Sequence, residues 1–434
     1  MTSTLLPPTL HHLNAPTTRK LPNGLTIVAE QIPVEAVSLN LWFKVGSSVE
    51  PDEINGMAHF LEHMVFKGTD KLQAGEFERY IEESGAITNA ATSQDYTHYY
   101  ITTAPQDFAK LAPLQMDVVL NPSIADDAFE RERLVVLEEI RRSQDSPSRR
   151  NYLRSMETLF ETLPYRRPVL GPASVVEKLT PQQMRDFHAS YYQPHSLTAV
   201  AVGNLPVSEL IEIVADSLAT AGATDRVAPL HIDSPTFSVP APELPFDDIV
   251  RQEYVDESLQ QARLIMMWRV PGLVDVEETY ALDVLAAILG RGRTSRMIQD
   301  LREKRGLVSS ISISNMTYRL QGAFYISAAL PAENIETVAP MILDHIRTLQ
   351  LEGVSETEIS RIRTQVANGF IFHNESPSDR STLYGYFQSM LGDLAPALNY
   401  PNRIQAIGAT DVQQAAQKYL DLKAYGTIIT RPKA

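Results

Sequence analysis

The sequence GMAHFLEHMVFKGT occupies residues 56–69 and is the most informative stretch of the chain. Within it, His59, Glu62 and His63 stand at positions i, i+3 and i+4, so a helix would bring all three side chains onto one face. The other residues of this helix are largely apolar, which predicts that the polar trio lies inside the protein. Buried imidazole and carboxylate groups need partners, and a metal ion is a natural one. The order His-x-x-Glu-His is the inverted form of a zinc-binding motif, although a surface helix can carry two histidines by accident.

Two imidazoles and a carboxylate at one spot indicate hydrolytic metal chemistry, because imidazole nitrogens bind zinc and a nearby carboxylate can take a proton from an attacking water. Such a site needs a third protein ligand. The predicted helix at residues 126–142 carries Glu132 and Glu139 seven positions apart and therefore on one face. One would ligate the metal and the other would support it. From spacing alone, each could also be a solvated helix residue.

The composition of the chain limits the classes of protein and the kinds of metal ligand that can be considered. A chain of 434 residues with 44% hydrophobic content is too long for one ordinary core and predicts two or more domains. It contains no cysteine, so any metal must be held by His, Asp or Glu. A net charge of -15 argues against nucleic acid and suits cationic ligands, unless it serves only solubility. No apolar run is long enough to span a membrane, and residues 1–20 lack the pattern of a secretory signal, which predicts a cytoplasmic protein.

The rest of the chain is predicted to alternate between strands and helices. In residues 37–46, apolar and polar residues alternate, which predicts a sheet with one buried face. Further strands are predicted at residues 24–31, 86–103 (a pair), 249–255 and 262–270, and helices at 56–66, 75–84, 105–120, 126–142 and 276–289.

The proline-rich segment 221–246 predicts a linker between two halves, residues 1–230 and 231–434. The second half repeats the element order of the first, and residues 95–101 resemble residues 320–326, which indicates a duplicated α+β unit. Where the second half should repeat the histidine helix, it reads VLAAI at residues 284–288. Only the first half is therefore expected to bind the metal.

Together these residues resemble the M16 or pitrilysin-like peptidases, close to the mitochondrial-processing-peptidase type and its bacterial M16B relatives. The likeness is carried by residues 56–69, by the run TNA at 88–90 before Thr92 and Ser93, and by Glu139, which lies 76 positions beyond His63. It covers the chain from about Thr18 onward. The resemblance implies a fold of two homologous halves, each a mainly antiparallel sheet packed with helices, as in the LuxS/MPP-like metallohydrolases.

The resemblance also implies a role for each residue of the site. His59, His63 and Glu139 would ligate one zinc ion per chain, Glu62 would be the general base, and Glu132 would assist from behind the ligands. Zinc would make an attacking water more acidic, and Glu62 would take its proton.

Substrate contacts are expected on a neighbouring strand and within the motif. By the resemblance, Asn89 and Ala90 would hold an extended peptide by β-strand addition, although Asn89 could also be a simple turn residue. Phe60 is also expected to contact substrate.

The second half departs from the family pattern. Members that act alone carry an Arg and a Tyr seven positions apart, and the Tyr hydroxyl helps to hold the substrate carbonyl. Here Arg302 is present, but Ser309 stands where the Tyr is expected. Either Tyr318 or Tyr325 substitutes, or another subunit supplies the pair.

The predicted function is therefore that of a zinc endopeptidase subunit acting on unfolded peptides. It would form a heterodimer with a homologous subunit carrying the Arg/Tyr pair, with a homodimer as the alternative. A non-catalytic scaffold, such as the core proteins of respiratory complexes in this family, is the second hypothesis. Those relatives usually have a degraded zinc motif, whereas the motif here is intact.

Overall fold

Two β-sheets, one in each half, organise the part of the chain that the structure describes. The computed structural model of the protein describes residues 15–223 and 240–433. The expected boundary at residue 230, and most of the proline-rich segment around it, lie outside the described residues, so the boundary stays a prediction.

The first half, as described in residues 15–223, contains six strands and eight α-helices. Strands β1–β6 are Thr17–Lys20, Thr26–Gln31, Val37–Phe43, Ile87–Thr92, Thr97–Thr103 and Leu197–Gly203. Helices α1–α8 are Met57–Met64, Glu76–Glu83, Pro105–Leu120, Asp126–Asp145, Pro147–Leu159, Ala173–Val176, Pro181–Tyr191 and Val207–Thr220.

The second half, as described in residues 240–433, contains five strands and six α-helices. Strands β7–β11 are Ile249–Val255, Ala262–Pro271, Ser310–Met316, Gln321–Leu330 and Tyr425–Arg431. Helices α9–α14 are Val276–Gly290, Ile335–Glu352, Glu356–Phe372, Pro377–Leu391, Ala395–Ala406 and Ala409–Tyr419.

The two sheets have the same strand order once β1 is set aside. The first runs β1-β2-β6-β3-β5-β4 and the second β7-β11-β8-β10-β9. In each, one pair is parallel, β2 with β6 and β7 with β11, and the other pairs are antiparallel. The predicted fold of two homologous, mainly antiparallel α+β halves is thus confirmed.

The predicted single buried face of the first sheet is wrong. All seven residues of β3 are buried, because α12 of the second half lies on the face that was expected to meet water. The polar residues of β3 find partners there: Ser38 Oγ lies 3.2 Å from Ser381 Oγ, and Asn40 Nδ2 donates to Thr382 Oγ1 at 3.3 Å. Trp42 packs on the same helix.

A buried carboxylate fixes α12 to the first sheet. Glu30 on β2 is 3% exposed, and it accepts hydrogen bonds from Arg380 Nη1 at 2.7 Å and Tyr384 Oη at 2.9 Å. A paired buried charge of this kind resists separation, because removing either partner would leave the other unpaired. The two halves are therefore joined by charge as well as by apolar packing.

The helix lengths and compositions also bear on whether the chain could span a membrane. Within residues 15–223 and 240–433, no helix is both long enough and apolar enough to cross a bilayer.

Candidate metal centre

The N-terminus of α1, the helix that carries the motif, is held by a buried carboxylate. Glu50 is 1% exposed, and it accepts hydrogen bonds from the Gly56 N–H at 2.8 Å, the Ala58 N–H at 2.7 Å and Asn55 Nδ2 at 2.8 Å. Burial raises the pKa of Glu50 to about 7, although these hydrogen bonds oppose the shift. A carboxylate at this end of a helix satisfies N–H groups that have no partner within it.

Gly56 itself has a conformation that favours glycine. Its φ is 104°, and a Cβ at this position would lie 2.8 Å from the carbonyl oxygen of Leu170. The start of α1 is thus fixed by close packing as well as by the cap of Glu50. The next turn, which carries His59, begins from a defined position.

Three side chains, those of His59, His63 and Glu139, converge between α1 and α4 and are called the metal group below. His59 Nε2 and His63 Nε2 each lie 3.5 Å from Glu139 Oε2, and the ligand atoms of the three residues all lie within 4.8 Å of one another. Two atoms bound tetrahedrally to zinc at about 2.0–2.1 Å would be about 3.4 Å apart. The donor set and its spacing therefore fit a zinc ion. In residues 15–223 and 240–433, no other group of His, Asp, Glu or Cys comes together in this way.

Glu132 supports this group from behind His63. Its Oε1 lies 2.9 Å from His63 Nδ1, and its Oε2 lies 2.7 Å from Lys67 Nζ. When Nδ1 carries the hydrogen and donates it to Glu132, the lone pair of Nε2 faces Glu139 and is free for a metal. Glu132 is 8% exposed, so it is not a solvated helix residue.

The two histidines differ in their electrostatics. Burial, followed by the nearby His63, lowers the pKa of His59 to about 4, which leaves its imidazole neutral and able to ligate. Burial also acts to lower the pKa of His63, but its hydrogen bonds to Glu139 and Glu132 outweigh burial and raise it. Glu139 has a lowered pKa, first because of its hydrogen bond to His63. A metal ion would therefore replace a proton shared between His63 and two carboxylates.

Glu62 faces the same region but is held separately. Its Oε2 accepts a hydrogen bond from Thr92 Oγ1 at 2.6 Å, and Thr92 is the last residue of β4. Burial raises the pKa of Glu62, and the hydrogen bond from Thr92 opposes that rise. The pairing was not predicted from the sequence, in which Thr92 stood out only as part of the family likeness. The clue would have been a hydroxyl residue at the end of the strand that packs on α1.

β4 is the outermost strand of the first sheet and leaves one edge without a strand partner among the described residues. Asn89 is exposed on this strand, and its Oδ1 accepts a hydrogen bond from the Ala90 N–H at 2.9 Å. The edge is next to the metal group, since Thr92 of the same strand binds Glu62. An exposed strand edge is the structure that β-strand addition requires.

The expected contact of Phe60 with substrate is not possible in this structure. The side chain is 0% exposed and packs against Phe129, with ring centroids 4.5 Å apart. On the helix it lies one position from His59, which turns it toward the core rather than toward the site. The Phe60 ring instead packs between α1 and α4 and stabilises their contact.

The hydrogen bonds of the Arg302 and Ser309 side chains are made to residues of the second half. Arg302, in the short π-helix Ile298–Lys304, pairs with the neighbouring Glu303 at 2.6 Å. Ser309 Oγ donates to Gln261 Oε1 at 2.6 Å.

The two tyrosines considered as substitutes are engaged elsewhere. Tyr318 Oη lies 2.9 Å from Tyr152 Oη, and Tyr325 Oη lies 3.0 Å from Ser155 Oγ. Both side chains pack between α5 and the second sheet. The structure thus gives them a role in joining the halves.

The fold and the site together define a class, that of proteins with two homologous α+β halves in which one half carries, among the described residues, a His/His/Glu group whose geometry fits a metal ion. Residues 26–173 match the family described as "Insulinase (Peptidase family M16)", and residues 178–366 match "Peptidase M16 inactive domain". The chain belongs to peptidase family M16. The metal group lies within the first match, and the helix without histidines lies within the second.

Individual relatives agree with this assignment. A protein of Mycobacterium bovis named "Uncharacterized zinc protease" is 30% identical over 421 residues, 96% of this chain and 93% of its own. One of Rickettsia bellii with the same description is 28% identical over 414 residues, 94% of this chain and 96% of its own. The crystal structure of a protease from Helicobacter pylori superposes with a TM-score of 0.87 at 25% identity, covering 96% of this chain and 99% of its own. These names support a peptidase as the kind of protein and zinc as its metal.

Proposed function

We propose that the protein is a zinc-dependent endopeptidase subunit that hydrolyses unfolded peptides, with Glu62 as its general base. The observation that carries this proposal is the convergence of His59, His63 and Glu139, with Glu62 held beside them by Thr92. One zinc ion per chain is expected at this group.

Each polar group of the site has a distinct task in this mechanism. Bound zinc would polarise the substrate carbonyl and make a water molecule more acidic. Thr92 Oγ1 holds the Glu62 carboxylate in place through Oε2, and this carboxylate would take a proton from the attacking water and deliver it to the leaving amine. The raised pKa of Glu62 suits this exchange, because a base whose pKa lies nearer to neutral can both accept and return a proton.

The substrate is proposed to bind in an extended form along the free edge of β4, with Asn89 and Ala90 beside its main chain. Main-chain hydrogen bonds supply the affinity in this mode, so binding tolerates different sequences. An unfolded segment can offer these groups, whereas a folded protein has already used them.

A homologous subunit is proposed to complete the site, as in the M16B or mitochondrial-processing-peptidase type. Ser309 is too short to act as the missing Tyr, and Tyr318 and Tyr325 are hydrogen-bonded between the halves. Loss of an oxyanion donor costs on the order of a hundredfold in rate. A heterodimer with a subunit that carries the Arg/Tyr pair would restore this donor. A homodimer would not, because its second copy also has Ser309.

The catalytic proposal is tested by measuring zinc content and cleavage of a fluorogenic peptide for the wild type, Glu62→Gln and Glu138→Gln. Glu138 is a matched control, because it lies on α4 beside Glu139 but pairs with Arg141. We expect zinc in all three proteins and loss of turnover in Glu62→Gln alone. If the wild type contained no zinc and Glu62→Gln left peptide turnover unchanged, the result would instead support the non-catalytic scaffold.

The divided site is tested by comparing the chain alone with the chain co-purified with a homologous subunit that carries the Arg/Tyr pair. We expect turnover to rise about a hundredfold in the complex. Full activity of the chain alone would refute the need for a partner without touching the role of Glu62.

A further inference from the structure

A small cavity lies directly beside the Glu62–Thr92 pair. Its volume is ≈ 160 Å³. Its polar lining comes from the end of β4 and the turn after it, from α5 and from the loop before α6: Thr92, Ser93, Gln94, Arg149, Tyr152 and Arg167. Thr92 both lines the cavity and donates to Glu62, so the cavity is a direct neighbour of the proposed general base.

The charged groups lining this cavity are both cationic. They are Arg149 and Arg167, and no Asp or Glu stands among the described residues that line the cavity. This is unexpected in a chain with a net charge of -15. Two like charges converging on one cavity attract an anion and repel a basic side chain.

Arg149 is available for such an anion. Among the described residues its guanidinium forms no ion pair; its Cζ lies over the ring of Tyr152, 5.7 Å from the ring centroid, which leaves its N–H groups free to donate. Its charge also reaches the metal group: after the hydrogen bond of His63 and other larger causes, it contributes to the lowered pKa of Glu139. Arg149 is therefore close enough to influence the metal group, yet it forms no ion pair with it.

Arg167 lies deeper, with 18% of its side chain exposed. Its Nη1 donates to Asp52 Oδ1 at 2.9 Å, while its Nε is buried without a hydrogen-bond partner among the described residues. Because the ion pair with Asp52 offsets part of the charge of Arg167, Arg149 is the cation of this cavity that keeps no ion-pair partner among the described residues.

We infer that this cavity binds a carboxylate of the substrate, so that the protein prefers peptides with an acidic group next to the cleaved bond. The inference rests on the proposed peptidase function. Arg149 would make the charge-assisted contact, and the apolar side chains of Leu153 and Met156 would pack on the methylene groups of the ligand. The carboxylate could come from an Asp or Glu side chain, or from the free C-terminus of a short peptide.

Two peptide series distinguish these sources. The first has blocked termini and places Glu, Gln or Lys in turn at each of three positions on either side of the cleaved bond. The second has no acidic side chain and compares a free C-terminus with an amide at increasing distance from that bond. At one position, we expect kcat/KM for a carboxylate to exceed that for its neutral analogue by about tenfold, as for one charge-assisted hydrogen bond.

The variant Arg149→Glu should reverse the preference at that position, from Glu to Lys, and Arg131→Glu is the matched control. Arg131 lies on α4, pairs with Asp127 and is 71% exposed. Binding of the same labelled peptides to Glu62→Gln, followed by fluorescence anisotropy, gives a readout that does not depend on turnover.

The possible outcomes separate the two proposals. Reversal in Arg149→Glu but not in Arg131→Glu supports the carboxylate site, and the responding series identifies the source. Equal kcat/KM for all members of both series, or equal changes in both variants, overturns it while leaving the peptidase in place. Failure of the wild type, with its partner subunit, to cleave any peptide would refute the proposed function, whereas the anisotropy comparison would still decide whether Arg149 binds a carboxylate.

Discussion

Thr92 donates its hydroxyl hydrogen to Glu62 Oε2 over 2.6 Å and thereby links the edge strand to the helix that carries the metal group. Replacing Thr92 with Val should lower kcat by about tenfold, a fraction of what general-base catalysis contributes. The hydrogen bond lowers the pKa of Glu62, so its loss should move the acidic limb of the pH–rate profile to higher pH. The profiles are measured with a peptide that lacks acidic residues. Thr92→Ser keeps the donor and should resemble the wild type; an equal fall in both variants would contradict this role.

Glu132 is expected to set the affinity of the metal group through His63. Glu132→Gln should weaken zinc binding by about 10–100-fold, because a neutral amide orients the imidazole poorly. Competition with a chromogenic chelator measures the affinity. The control is Glu138→Gln, which should leave the zinc affinity unchanged because the Glu138 carboxylate pairs with Arg141. Equal affinities in the two variants would count against the support by Glu132.

The free edge of β4 is expected to bind the main chain of the substrate. Methylating alternate backbone nitrogens of a peptide removes hydrogen-bond donors without changing its side chains. Methylation at positions facing β4 should lower kcat/KM by about fivefold or more per hydrogen bond, whereas methylation at the intervening nitrogens should have little effect. An equal loss at every position would speak for a steric cause.

Close packing between the halves predicts an intolerant glycine. A Cβ on Gly385 of α12 would lie 2.1 Å from Trp42 Nε1. Gly385→Ala should therefore lower the free energy of unfolding by about 1–3 kcal/mol, despite the better helix propensity of Ala. Urea denaturation of this variant is compared with Trp42→Phe and with the double variant. The smaller ring should relieve the clash, and strictly additive losses would argue against direct contact.

Asp283 on α9 should make stability depend on pH. Burial raises its pKa from 3.8 to about 6, although Asn315 and Tyr400 donate hydrogen bonds to it. The native state then binds this proton more tightly than the unfolded state, so the contribution of Asp283 to stability falls as pH rises from about 4 to about 6. The full effect is at most about 3 kcal/mol.

The comparison for this prediction is Asp283→Asn, unfolded in urea between pH 4 and pH 7.5 in the presence of a chelator. Asn resembles the protonated acid, so the variant should gain stability relative to the wild type as pH rises. A constant difference across this range would show that Asp283 keeps an ordinary pKa.

Much of the fold was predictable from local patterns. The histidine helix, the helix at Pro105–Leu120 and the strand at Ile249–Val255 lie where periodicity placed them. The repeat of residues 95–101 in residues 320–326 also corresponds to equivalent strands, β5 and β10, of the two sheets. Such features depend on residues near one another in sequence, which a single chain records directly.

What the sequence did not reveal depends on contacts between distant residues. The alternation in β3 predicted an exposed face because α12, more than three hundred residues away, cannot be read from that strand. The same limit applies within the site. Phe60 looked available beside His59 until Phe129 was seen to cover it, and the hydrogen bond of Thr92 to Glu62 spans thirty residues.

The helix α12 also determines how the chain can be divided. A fragment ending near residue 223 would leave Val28, Trp42, Val200 and Val202 facing water and would deprive Glu30 of Arg380. Such a fragment should aggregate rather than fold as an independent catalytic module. A gene encoding the first half alone would therefore need the second half supplied in trans, and chimaeras between relatives should exchange the sheet of one half together with the α12 that covers it.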